Sequence, residues 1–156
     1  GAKVVTCDPH DMIRDPAHRS GWNEWGFLDY AALDPRIASL NLPVEAVEDQ
    51  EGFDAIYSVS VVEHIPAAAR RAALARIARL LRPGGTLLLT VDVVPGSDDL
   101  WPLAEGRAVD PDAAHGTTAD LRAEIEAQGL RLVEITERRA IPGSRTDLAL
   151  IEAVRA

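Results

Sequence analysis

The chain contains one cysteine, Cys7. It can therefore form no internal disulfide and no multi-cysteine metal site. A lone thiol suits a reducing compartment, and the chain is expected in the cytoplasm. Basic residues are few: 16 Lys and Arg stand against 25 Asp and Glu, a formal charge of −9. General affinity for nucleic-acid backbones is not expected, because a basic surface supplies most of that binding. No apolar run approaches the roughly 18 residues of a membrane span, so no membrane partner is expected. The best candidate, Thr86–Val94, is interrupted by Asp92. Residues 1–20 carry charges throughout and no apolar stretch, so no secretory signal is expected. Internal repeats and low-complexity segments are missing too.

What is there is ordinary for one globular domain: 156 residues, 47% hydrophobic and 26% charged. Ala2–Thr6 is a short β-branched run closed by Cys7-Asp8-Pro9, which predicts a buried parallel strand. Residues 9–24 show no clean period and are expected to be loop. Trp25–Tyr30 is apolar enough for a second strand. Ala31–Gly52 holds Pro35, Pro43 and the acidic run Glu45–Glu51, and that charge run is expected to be a solvated loop.

The pattern then sharpens. Phe53–Val62 predicts a strand, and Pro66–Leu81 a helix with Pro66 at its first position. Ala69, Ala73, Leu74, Ile77, Leu80 and Leu81 recur at helical spacing, leaving Arg70, Arg71, Arg76 and Arg79 for the remaining surface. Pro83-Gly84-Gly85 is read as the stop. Thr86–Val94 is an almost continuous apolar strand, as when both sheet faces are covered. Residues 95–116 read as loop. Thr117 or Thr118 caps a helix running to Gln128, and Gly129 stands where a helix end favours positive φ. Leu130–Arg138 and Asp147–Val154 are joined by too short a connection for a helix and predict an antiparallel hairpin. The fold class is α/β: a mainly parallel, Rossmann-like sheet flanked by helices, with an antiparallel C-terminal hairpin.

Phe53-Asp54-Ala55-Ile56-Tyr57-Ser58-Val59-Ser60-Val61-Val62-Glu63-His64-Ile65-Pro66, followed a helix later by Leu80-Leu81-Arg82-Pro83-Gly84-Gly85-Thr86-Leu87-Leu88-Leu89, resembles the fourth and fifth strands of class I S-adenosylmethionine-dependent methyltransferases. The tail from His115-Gly116-Thr117-Thr118 to the closing hairpin is similar as well, and Gly1–Pro9 resembles the family's second strand. The family's first strand and Gly-rich turn have no counterpart in these residues. The resemblance thus implies one methyltransferase-like domain over residues 1–156, N-terminally incomplete. Such a sheet, short of a central strand, is expected either to cover its exposed edges with a second copy or a partner chain, or to pair Ala2–Thr6 directly with Phe53–Val62.

The resemblance implies S-adenosylmethionine as cofactor and a small-molecule methyl acceptor, with weak or absent cofactor binding by these residues alone. It makes Asp8 a candidate for the ribose hydroxyls, against a turn-forming Asp before proline. Asp29 is a candidate for the adenine amino group, against a surface acid. Ser58, Val59 and Ser60 would touch the cofactor or line the substrate cleft, against plain packing. His64 and His115 are candidate general bases. The competing readings are a structural role for the Glu63-His64 pair, with Glu63 favouring the helix N-terminus, and a surface position for His115. His10, Asp11, Asp15 and His18 lie close in sequence, but proximity is not coordination geometry, and no metal is expected. Trp22, Trp25 and Trp101 are expected in core or lid packing. Two other readings stay open: a non-catalytic methyltransferase-like binding or scaffold module, and a nicotinamide-dependent oxidoreductase, which explains residues 53–90 less well.

Overall fold

The structure is a computed structural model that describes residues 2–8, 34–48, 51–101, 115–138, 143 and 145–156. The expected strand Trp25–Tyr30, the loop over residues 9–24, Asp29, Trp22, and the His10, Asp11, Asp15 and His18 group lie outside the described residues. Two compact units are present, Gly1–Glu48 and Asp49–Ala156.

In the first unit, β1 (Val4–Cys7) pairs in parallel with β2 (Ile37–Leu40), from Val4↔Ile37 to Cys7↔Leu40. β2 is a strand the sequence reading did not predict. It is four residues long and bracketed by Pro35 and Pro43, so its local pattern is weak. Its backbone becomes extended because β1 supplies hydrogen-bond partners. Among the described residues β2 is the partner β1 takes. The acidic stretch follows expectation where it is described: Val44–Ala46 is one 3-10 turn, and Glu45 and Glu48 are exposed.

Among the described residues the second unit is a four-stranded sheet in the order β3-β4-β6-β5 with two α-helices. Its elements are β3 (Phe53–Val59), α1 (Ala67–Leu80), β4 (Leu81–Val93), α2 (Thr118–Glu126), β5 (Leu130–Arg138) and β6 (Asp147–Arg155). β3 and β4 are parallel, as a strand–helix–strand crossover requires, and β4–β6 and β6–β5 are antiparallel. The expected hairpin is present, and its second strand inserts between β4 and β5. The fold is α/β with a mixed sheet.

Several boundaries move for physical reasons. β3 ends at Val59 rather than Val62, because Ser60 turns to φ +49 and Val62–His64 closes into a 3-10 turn. Pro66 is the residue before α1, not its first helical residue. Pro83-Gly84-Gly85 is not a stop between elements: β4 already begins at Leu81, and the three residues form an excursion within it. Pairing runs Phe53↔Leu81 and then Ala55↔Thr86, so the extra residues bulge out of the ladder. Gly85 sits where a Cβ would lie 2.9 Å from the Arg82 carbonyl oxygen and 3.0 Å from that of Phe53, too close for any side chain.

The core lies on one face of this sheet. Leu87, Leu89, Val91 and Val93 of β4, with Ala149, Ile151 and Ala153 of β6, are buried, as are Leu74 and Ile77 of α1 and Leu121 and Ile125 of α2. The alternate residues Tyr57, Val59, Leu88 and Leu150 are exposed. The continuous apolar run of β4 is therefore not a strand covered on both faces; it follows the period of two of a half-buried one. α2 starts on a capping box: Thr117 Oγ1 accepts from Asp120 N–H at 3.1 Å, and the Asp120 carboxylate accepts from Thr117 N–H at 2.8 Å.

Candidate functional site

Ligands in open α/β sheets gather at the carboxyl ends of the strands. Asp8 stands at such an end, directly after β1, and is exposed. Its backbone is held on both sides. Its N–H donates to the Leu40 carbonyl at 3.1 Å, and its carbonyl accepts from Asn41 Nδ2 at 3.1 Å. A carboxylate at an exposed residue on a fixed backbone, at a strand end, is of the acceptor type that a ribose diol needs.

The carboxyl end of β3 is built differently. Ser58 is half-buried and Val59 exposed. Ser60 adopts φ +49, the one positive φ at a non-glycine residue among those described, a conformation that is sparsely populated for side chains with a Cβ. Its N–H still donates to the Thr90 carbonyl at 2.9 Å, the last rung of the β3–β4 ladder. β4 runs on beyond that rung, and its next residue facing β3, Asp92, has lost its neighbour. The gap is filled by side chain and loop: Glu63 Oε1 accepts from Asp92 N–H at 2.9 Å, and Trp101 N–H donates to the Asp92 carbonyl at 2.9 Å. Glu63 thus does not act at the helix N-terminus as one reading had it. It completes the sheet's hydrogen bonding where β3 leaves.

That role places Glu63 at zero exposure. Its Oε2 has no hydrogen-bond partner. Burial pushes its carboxyl up to about 7; the Asp92 N–H bond opposes this, the Asp92 charge adds to it and Arg70 offsets it. His64, next in sequence, keeps part of its side chain accessible. Its Nδ1 is 3.0 Å from the Trp101 carbonyl, and its Nε2 is 3.8 Å from Glu63 Oε1. Burial lowers its pKa, so the neutral ring is favoured. His115 is buried, not on the surface; its Nδ1 is 2.9 Å from the Glu63 carbonyl, and its Nε2 lacks a partner. In both rings Nδ1 faces a carbonyl oxygen, so Nδ1 carries a hydrogen, and in the neutral ring of His64 Nε2 holds the lone pair. Trp101, which the sequence suggested for a lid or core, works here through its backbone at the same place.

The sequence reading missed the group that holds this cluster. Arg70 is not on the outer surface of α1 but at zero exposure. Its Nε donates to Glu124 Oε2 at 2.8 Å and its Nη2 to Glu124 Oε1 at 3.2 Å. The same guanidinium donates to the carbonyls of Ile65 at 3.1 Å and His115 at 2.8 Å. It thereby ties α1, α2, the end of the 3-10 turn and the start of the α2 cap together. The signal was available: Arg70, Leu74 and Ile77 share one helix face, and Glu124 shares one with Leu121.

Among the described residues the structure thus gathers Glu63, His64 and His115 into one network, while Ser58, Val59 and Ser60 line the strand exit leading into it. Asp29 lies outside the described residues. No helix among the described residues is long and apolar enough to cross a membrane.

Residues 2–87 match the family model described as a methyltransferase domain. That is more than half of the chain, and the chain belongs to this family. Solved structures of similar fold include the 1,6-didemethyltoxoflavin-N1-methyltransferase of Burkholderia thailandensis, crystallised with S-adenosylhomocysteine, at TM-score 0.66 and 21% identity, covering 100% of this chain and 62% of that one. A glycopeptide N-methyltransferase complexed with S-adenosylmethionine has TM-score 0.66 and 17% identity, covering 99% of this chain and 72% of that one. The magnesium protoporphyrin IX methyltransferase of Synechocystis PCC 6803, with bound S-adenosylmethionine, has TM-score 0.60 and 15% identity, covering 100% of this chain and 61% of that one. The chain spans about three-fifths of the length of the first of these. No curated protein matches it in sequence.

Proposed function

We propose that this chain binds S-adenosylmethionine and serves methyl transfer to a small-molecule acceptor. The observation that carries the reading is Asp8, an exposed carboxylate on a pinned backbone at the carboxyl end of β1, within the stretch that matches the methyltransferase model. The three similar structures named above, each crystallised with S-adenosylmethionine or its product, support it. When bound, the sulfonium supplies an activated methyl group for in-line displacement. What the chain contributes is binding and alignment. Asp8 is assigned to the ribose hydroxyls. The exit of β3, Ser58 to Ser60, is assigned to cofactor or acceptor contact, and the left-handed Ser60 is the strained residue such an exit tolerates. His64 keeps more of its side chain accessible than the buried His115, and in the cation-free chain its Nε2 lone pair is the one placed to take a proton from an acceptor.

The test is a calorimetric titration with S-adenosylhomocysteine, at ligand concentrations high enough to read weak binding. Asp8→Ala is expected to lose about 1.5–3 kcal/mol, the contribution of charge-assisted hydrogen bonds. Unchanged affinity in the variant removes Asp8 from the site, and no binding by the parent chain under any condition removes the reading.

A further inference from the structure

Glu63, His64 and Asp92 each present one ligand atom, and these atoms all lie within 4.8 Å of one another. We infer that this cluster is a binding site for one divalent transition-series cation, of the Zn2+ or Mn2+ class. Two features distinguish it from a chance meeting of acids. The first is Glu63. It is wholly buried, its Oε1 serves Asp92 N–H, and its Oε2 has no hydrogen-bond partner in a place where an unpaired oxygen is costly. The second is the orientation of His64. Its Nδ1 faces the Trp101 carbonyl at 3.0 Å, which fixes the hydrogen there and leaves the Nε2 lone pair facing Glu63 Oε1 at 3.8 Å. Metal-ligating histidines are oriented in the same way, with the second ring nitrogen donating to a carbonyl or carboxylate.

His64 Nε2 and Glu63 Oε1, 3.8 Å apart, are too far for a hydrogen bond. A cation held by His64 Nε2, the Glu63 carboxylate and Asp92 would give the ring lone pair and the unpartnered Oε2 a common partner. Ligands about 2.0–2.2 Å from one ion stand roughly 3.0–3.5 Å apart, so small side-chain rotations close the site. Asp92 is already oriented, since its Oδ1 accepts from Thr146 Oγ1 at 3.1 Å. The Arg70 guanidinium is committed to Glu124 and to two carbonyls. One imidazole with two carboxylates is a mixed nitrogen–oxygen set: it suits zinc or manganese, is too hard for copper(I), and gives magnesium an imidazole it does not favour. The expectation of no metal rested on His10, Asp11, Asp15 and His18, and this site uses none of them.

The experiment uses the whole chain after treatment with a chelator. Mn2+ is added in substoichiometric steps while amide resonances are followed. Paramagnetic broadening is expected first and most strongly at Glu63, His64, Asp92 and Trp101, and Zn2+ is expected to displace it while Mg2+ at the same concentration is not. Calorimetry with Zn2+ is expected to give one ion per chain, with affinity at least tenfold weaker in His64→Ala and in Glu63→Gln. Broadening centred on other residues, none at millimolar Mn2+, or unchanged affinity in both variants overturns the site. If a variant fails to fold, the broadening map of the parent chain decides alone.

Discussion

Arg70→Ala is expected to destabilise the chain by about 3–5 kcal/mol, the cost of leaving a buried partner charge uncompensated. The partner is Glu124, which keeps one-tenth of its side-chain surface while Arg70 keeps none. The loss would also strip a donor from the Ile65 and His115 carbonyls, so more than one interaction goes at once. Urea unfolding followed by circular dichroism measures the effect. The double variant Arg70→Met with Glu124→Leu separates burial from charge: it removes both ions and is expected to recover most of the stability lost in the single variant. If Arg70→Ala costs less than about 1 kcal/mol, the guanidinium is a bystander, since surface pairs are worth that little.

Glu63→Gln is expected to act in a pH-dependent way. In the chelated, cation-free chain the folded carboxyl titrates at about 7 against an ordinary value of 4.5. Below 4.5 it is protonated in both states and contributes no penalty. Between 4.5 and 7 the unfolded chain ionises while the folded one holds its proton, so stability falls as pH rises. Above that range the penalty levels off at roughly 3 kcal/mol, from a shift of more than two pH units at 1.36 kcal/mol each. The groups facing Glu63 are Asp92, which raises its pKa, and Arg70, which lowers it, with the neutral ring of His64 beside them. Glutamine keeps an oxygen for Asp92 N–H and does not ionise. Between pH 5 and pH 8 the difference in stability should therefore move in favour of Glu63→Gln by about 2–3 kcal/mol. Parallel pH profiles of parent and variant would contradict the assignment of this titration to Glu63.

Both residues show where sequence reasoning reached and where it stopped. The elements from Phe53 onward were readable because each repeats its period: β-branched and aromatic residues in β3, the spacing of Ala73, Leu74 and Ile77 in α1, and turn residues around the closing hairpin. β2 was not readable, because four residues between prolines carry too little pattern and owe their extension to β1. The strand exit was misjudged by three residues for a tertiary reason: Glu63 satisfies Asp92, and no local propensity encodes a side chain standing in for a missing strand. Pro83-Gly84-Gly85 has the composition of a turn, and the structure uses it as a bulge in a continuing strand. Arg70 was assigned to solvent because it is charged, although its position on the helix wheel was a core position. Charge outweighed periodicity in that reading, and a buried partner 54 residues away reversed it.

The most direct test of the cofactor reading is an amide chemical-shift titration of the chain with S-adenosylhomocysteine. It reports weak binding, and it reports location. The reading predicts saturable shifts at Cys7 and Asp8, with loss of the Cys7 shift in Asp8→Ala, and saturable shifts at Ser58, Val59 and Ser60. Shifts confined to the opposite end of β3, around Gly52 and Arg82, or no saturable shift at millimolar ligand, would contradict it.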